Sequence, residues 1–97
     1  RTNAVMGTWA YMAPEQRSNA KAVGARADVF AVGATLVTLL TGREPYDLTS
    51  EDAQRELLRG VADPLAAVIR AATRYRPEDR LGSAAELADA LSAAAAG

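Results

Sequence analysis

The residues of this chain predict an all-α fold, and three observations carry that expectation. Alanine, the strongest helix former, fills 23 of 97 positions. No stretch of four or more residues alternates apolar and polar side chains as a half-buried strand would. Helix-starting and helix-stopping residues bracket the apolar segments one after another.

Residues 1–12 are the irregular part, polar at first and then carrying Val5, Met6, Trp9, Tyr11 and Met12 around Gly7. Pro14 suits the first position of a short helix, where its missing N–H costs nothing, so Pro14 to Arg17 predict about one turn. A loop of small residues follows. From Arg26 to Thr41 the sequence is apolar on nearly every face, the pattern of a helix surrounded by protein, and Gly42 is placed to end it in a left-handed cap.

Thr49 or Ser50 caps the next segment, 50–59, with Glu51 and Asp52 in the first turn, where the helix dipole favours acids, and Gly60 as its stop. Ala53, Leu57 and Leu58 give it a narrow apolar face. Asp63 then predicts an N-cap followed by first-turn Pro64, with Leu65, Val68, Ile69 and Ala72 recurring at helical spacing over 64–75 until Pro77 forbids continuation. Ser83 and Glu86 form a capping box ahead of Leu87 and Leu91, predicting a helix over 84–94. The last residues, SAAAAG, lose the pattern.

Composition closes off several functions. Eleven basic residues, ten of them arginine, face twelve acids, for a formal net charge of -1. No basic stripe of the kind that follows a phosphate backbone results, so nucleic acid is not expected as a partner. Cysteine and histidine are both absent, which excludes disulfides, structural zinc, thiol nucleophiles and an imidazole base within this sequence. The longest strongly apolar stretch, Val29 to Leu40, is interrupted by Gly33, Thr35 and Thr38 and is shorter than the ~20 residues a bilayer crossing needs. The sequence carries no secretion signal, which points to a cytoplasmic location, and it reads as a piece of something longer that can be anchored elsewhere.

The stretch Gly7-Thr8-Trp9-Ala10-Tyr11-Met12-Ala13-Pro14-Glu15 resembles the end of the activation segment of protein kinases. Asp28-Val29-Phe30-Ala31-Val32-Gly33 resembles the start of the central helix of the kinase C-lobe. Leu39-Leu40-Thr41-Gly42-Arg43-Glu44-Pro45-Tyr46 is similar to that helix's exit, and Arg76-Pro77-Glu78-Asp79-Arg80 to the segment before the last helix. Ala-Pro-Glu alone is a weak match, but the four motifs follow in order. The wording is closest to bacterial serine/threonine kinases. The resemblance implies an all-α fragment of the protein-kinase-like fold: the activation-segment end and Ala-Pro-Glu turn (1–17), the central buried helix (26–41), and the C-lobe helices 50–59, 64–75 and 84–94.

The resemblance also implies roles. Glu15 and Arg80 would form a bidentate ion pair tying the activation segment to the far end of the lobe, a task suited to a planar guanidinium. Asp28 would anchor the backbone of the catalytic loop. Thr8 would help to place the acceptor hydroxyl of the substrate, and Trp9, Tyr11 and Met12 would shape the groove for the residue that follows it. Thr2 stands where such kinases often autophosphorylate.

Phosphoryl transfer needs a Gly-rich strand turn, a strand lysine paired with a helix glutamate, a catalytic-loop Asp and Asn, and Asp-Phe-Gly. None is in this sequence. The parent is therefore expected to use ATP and Mg2+, to act on protein substrates and to supply the missing N-terminal part of the kinase domain. The 97-residue chain itself is expected to bind neither cofactor and to contain no catalytic or metal-binding residue. Two other readings are a truncated or degenerate kinase-like module serving as a docking surface, and a free-standing helical bundle. Two departures stand out: Arg59 to Asp63 is a short connection between helices, and Arg76 replaces the family's usual acid or asparagine. Separated from neighbours that precede residue 1, Val29, Phe30, Leu36, Val37 and Leu40 would be wet, and the chain molten or aggregating.

Overall fold

The computed structural model describes residues 10–19, 24–45 and 47–96. Along them run α1 (Pro14–Ser18), α2 (Ala25–Thr41), α3 (Glu51–Leu57), α4 (Asp63–Ala72), a 3-10 turn (Pro77–Asp79) and α5 (Ala84–Ala96). No strand occurs among the described residues.

Local chemistry fixes the helix ends. Ala13 precedes α1 in extended conformation with Pro14 next, and its N–H donates to Gln16 Oε1 at 3.2 Å. Gly42 ends α2 at φ 73, and its N–H reaches the Thr38 carbonyl. A side chain there would be strained in the left-handed region. Ser50 Oγ accepts from the Ala53 N–H at 3.4 Å at the start of α3. That helix stops at Leu57, short of the expected 59, and a turn through Leu58, Arg59 and Gly60 follows.

Three further boundaries differ from the sequence pattern. The N-cap of α4 is Ala62, with Asp63 inside the first turn; there its carboxylate meets the positive end of the dipole without acting as a cap. The helix ends at Ala72: the Thr73 N–H is shared between the Ile69 and Arg70 carbonyls, the Thr73 hydroxyl donates to the Ile69 carbonyl at 2.8 Å, and chain direction changes before Pro77 is reached. At α5, Ser83 Oγ accepts from the Glu86 N–H at 3.2 Å, but Glu86 reaches past Ser83 to the Gly82 N–H at 2.7 Å. The capping box is thus widened by one residue. The alanine-rich tail without pattern continues α5 to Ala96, as its intrinsic propensity allows.

Two apolar clusters share α2. One joins Ala13, Phe30, Ala34 and Val37 to Leu48, Leu57, Leu58, Ala66 and Ile69. The other joins Val29 to Ala72 and Leu87, with Val68, Leu81 and Leu91 packed around them. Within this chain α2 is covered on part of its circumference only: Val29, Phe30 and Val37 are fully buried, yet Val32 and Leu40 are exposed and Leu39 is 74% exposed. At 3.6 residues per turn, Val32, Leu36 and Leu39 lie roughly opposite the buried Phe30 and Ala34. The helices α3 to α5 cover one side of α2 and leave this stripe open. Of the five side chains expected to be wet, Leu40 is exposed and Leu36 partly so, whereas Val29, Phe30 and Val37 are buried.

Candidate functional site

Arg80 is the centre of the molecule's polar organisation. It follows the 3-10 turn, whose geometry places its side chain inward, and its side chain is 0% exposed. Its guanidinium holds five N–H donors, and five acceptors receive them. Nη1 donates to Glu15 Oε2 at 2.8 Å and to the Arg26 carbonyl at 3.0 Å. Nη2 donates to Glu15 Oε1 at 2.8 Å and to the Tyr75 carbonyl at 3.0 Å. Nε donates to the Arg74 carbonyl at 2.7 Å. A buried charge is tolerable when its donors are all satisfied, and the fork of an arginine fits a carboxylate through two parallel bonds.

Phe30 completes the cage. The guanidinium carbon stands 5.0 Å from the ring centroid, within cation–π range. The arrangement therefore joins α1 through Glu15, α2 through Phe30 and the Arg26 carbonyl, and the end of the α4 loop through two carbonyls. Hydrogen bonds from Arg80 hold the Glu15 carboxyl below the usual carboxylate range, against the opposing effect of its partial burial.

The segment before α1 is fastened independently. Tyr11 Oη and Thr38 Oγ1 are 2.7 Å apart, and the Tyr11 ring packs on the cluster around Phe30 and Val37. Ala13 is fully buried. Thr38 thus acquires a partner across 27 residues of sequence, whereas Thr35 and Thr41 bond back to carbonyls of their own helix, at 2.8 and 2.7 Å.

Glu15 and Arg80 are brought together, and Tyr11 is carried to α2 through Thr38. Asp28 is exposed on the first turn of α2 and takes no part in the arginine cage. Thr2, Thr8 and Trp9 lie outside the described residues. Sequence reasoning missed Phe30 as the floor of the cage and the three carbonyls as acceptors. Phe30 had a signal, an aromatic two residues after Asp28 in the quoted motif; the carbonyls had none, since any residue carries one. Among the described residues no three acidic side chains converge as a metal site would require.

With this geometry established, the class is fixed by comparison. The profile of the protein kinase domain matches residues 1–92, and the chain belongs to that family. Its helices are those of the helical C-lobe, held by the same Glu15 and Arg80 that the motifs single out. Among similar proteins, the tyrosine-protein kinase MasK of Myxococcus xanthus is 37% identical over 94% of this chain and 16% of its own length. Serine/threonine-protein kinase C of a Synechocystis species is 38% identical over 89% of this chain and 17% of its own. PknH, a serine/threonine-protein kinase of Mycobacterium tuberculosis, is 37% identical over 86% of this chain and 15% of its own. The chain thus spans about one sixth of the length of these curated relatives. No solved structure gives a significant match.

Proposed function

We propose that this chain is the C-terminal part of the helical lobe of a serine/threonine kinase that transfers the γ-phosphate of ATP to serine or threonine hydroxyls of protein substrates. The single observation that carries this reading is the Glu15–Arg80 pair, which fastens the Ala-Pro-Glu turn to the lobe through both carboxylate oxygens. A rigid seat there gives the preceding residues a fixed base from which Thr8 and Trp9 would position the acceptor. Tyr11 would support that loop from beneath by its bond to Thr38. Asp28, exposed at the start of α2, is free to meet a catalytic loop supplied by the rest of the domain. Thr2 would be the site of autophosphorylation.

ATP and Mg2+ belong to the parent in this reading. The described residues offer no grouping of carboxylates for a divalent cation, and no step of the transfer is assigned to them. No described helix is long and apolar enough to cross a membrane, and a cytoplasmic location is part of the proposal.

The test is a radiolabelled-ATP assay of the full-length protein on a mixed protein substrate, followed by acid hydrolysis and separation of the phosphoamino acids. Label in phosphoserine and phosphothreonine is expected, and none from the 97-residue chain alone. Label confined to phosphotyrosine would overturn the specificity, and no label from the full-length protein would favour a docking module without catalysis.

A further inference from the structure

A polar cleft of about 620 Å³ opens where α3 faces the end of α4 and the loop beyond it. Its floor is settled: Gln54 Nε2 donates to the Leu48 carbonyl at 3.0 Å and to Thr73 Oγ1 at 3.1 Å. Its walls are not. Arg70, Arg74 and Arg76 all line it and all are exposed, and among the described residues none of their guanidinium groups meets a carboxylate. Arg55, a fourth arginine of the lining, is engaged with Asp52 at 3.1 Å. Tyr75, 66% exposed, stands in the same wall.

We propose that this cleft is a docking site for an acidic peptide segment of a partner protein. Three guanidinium forks within a seven-residue stretch offer paired donors to carboxylates, and their weak hydration lowers the cost of burying the contact. Tyr75 adds an aromatic anchor, the residue type on which binding energy concentrates. Glu51 and Asp79 also line the cleft. They would repel a continuous polyanion, but they can accept the backbone N–H groups that a peptide brings. The mixture of signs therefore favours a peptide over nucleic acid or an anionic membrane.

The uncovered apolar stripe of Val32, Leu36 and Leu39 contributes no residue to the cleft lining, so chain that packs on the stripe need not fill the cleft. The proposal concerns binding alone and does not depend on phosphate transfer.

The experiment uses full-length protein and a fluorescein-labelled glutamate-rich peptide with one central leucine, read by fluorescence anisotropy at two salt concentrations. Binding that weakens with salt is expected, with loss when the glutamates are replaced by glutamine. The triple substitution Arg70→Glu, Arg74→Glu, Arg76→Glu should weaken binding at least about tenfold. These side chains are exposed and the Arg74 and Tyr75 carbonyls bound by Arg80 are retained, so unchanged circular dichroism is expected. Tyr75→Ala should weaken binding without altering its salt dependence. Arg43→Glu, a charge reversal outside the cleft to be set against the single Arg74→Glu of equal charge change, should leave affinity unchanged. Equal loss in Arg43→Glu, no loss in the triple variant, or stronger binding to single-stranded DNA or anionic vesicles than to the peptide would each overturn the proposal.

Discussion

Gly33 of α2 meets Thr73 at the end of α4 so closely that a Cβ on Gly33 would stand 2.8 Å from Thr73 Cγ2 and 2.9 Å from Ala72 Cβ. Thr73 cannot swing away cheaply, because its hydroxyl donates to the Ile69 carbonyl and accepts from Gln54. Glycine in the middle of a helix costs about 0.5–1 kcal/mol relative to alanine. Here that cost is offset by the close approach of two helices. Gly33→Ala should recover the helix term and lose more, since overpacking costs about 1–3 kcal/mol. Urea unfolding of the variant is expected to show a lower midpoint; an increase would mean that α2 and α4 are less tightly apposed than this.

Replacing Arg80 tests the five-donor cage. Lysine keeps the charge but offers three donors and no fork, so Arg80→Lys should destabilise almost as much as breaking a buried pair, about 3–5 kcal/mol. In a double-mutant cycle, Glu15→Gln and Arg80→Lys should be strongly non-additive, because each disrupts the same two-bond pairing of carboxylate and guanidinium. Additive effects would contradict the bidentate geometry.

The lowered pKa of Glu15 makes the pair sensitive to acid. A carboxyl whose folded-state pKa lies below its unfolded value of about 4.3 contributes stability that is fully present above that unfolded value. The contribution fades as pH falls toward and through the folded value. Equilibrium unfolding between neutral and acidic pH should therefore show a stability decline that is shallower in Glu15→Gln. Parallel curves for the two proteins would sever the link between this carboxyl and acid sensitivity.

Tyr11→Phe removes one hydroxyl and the bond to Thr38 while keeping the packed ring. A loss of about 0.5–1.5 kcal/mol is expected, with Tyr11→Phe, Thr38→Val closer to wild type than the sum of the single changes. In the full-length kinase, the same Tyr11 substitution should raise KM for a peptide substrate more than it lowers kcat, since it loosens a loop proposed to seat the acceptor.

The start of α5 gives a smaller and separable effect. Ser83→Ala leaves the Glu86 N–H without its side-chain acceptor, and a cost of about 1 kcal/mol is expected. Glu86→Ala should cost a similar amount through Gly82. Hydrogen exchange at the Gly82 and Glu86 amides would resolve which bond each variant has lost.

Much of this organisation can be read from the residues. Gly42 announces its left-handed stop, Ser83 its cap, and the order of four motifs places Glu15 opposite Arg80 before any coordinates are considered. What resisted reading was relational. The apolar run of α2 is blind to direction: nothing in it says that Val37 is covered and Leu39 exposed, because that depends on where α3 to α5 end up. Gly33 looked like an interruption and is instead a contact point. Thr73, unremarkable by type, sits fully buried with its hydroxyl satisfied by the Ile69 carbonyl and by Gln54. The carbonyls around Arg80 leave no trace in residue identity, and Asp63 was misjudged by one position because its dipole preference and its capping preference are nearly the same signal.

The span of the arginine cage also sets an order of events during synthesis. Glu15 precedes Arg80 by 65 positions and the Arg26 carbonyl precedes it by 54. A ribosome therefore delivers both acceptors well before their donor. Until residue 80 emerges, α1 and the first turn of α2 wait without the guanidinium that will join them, and helices α3 and α4 are held by apolar contacts and the Gln54–Thr73 hydrogen bond. A nascent chain cut short before that point would keep its helices and lose their clasp, leaving it open to proteases that the finished lobe would resist.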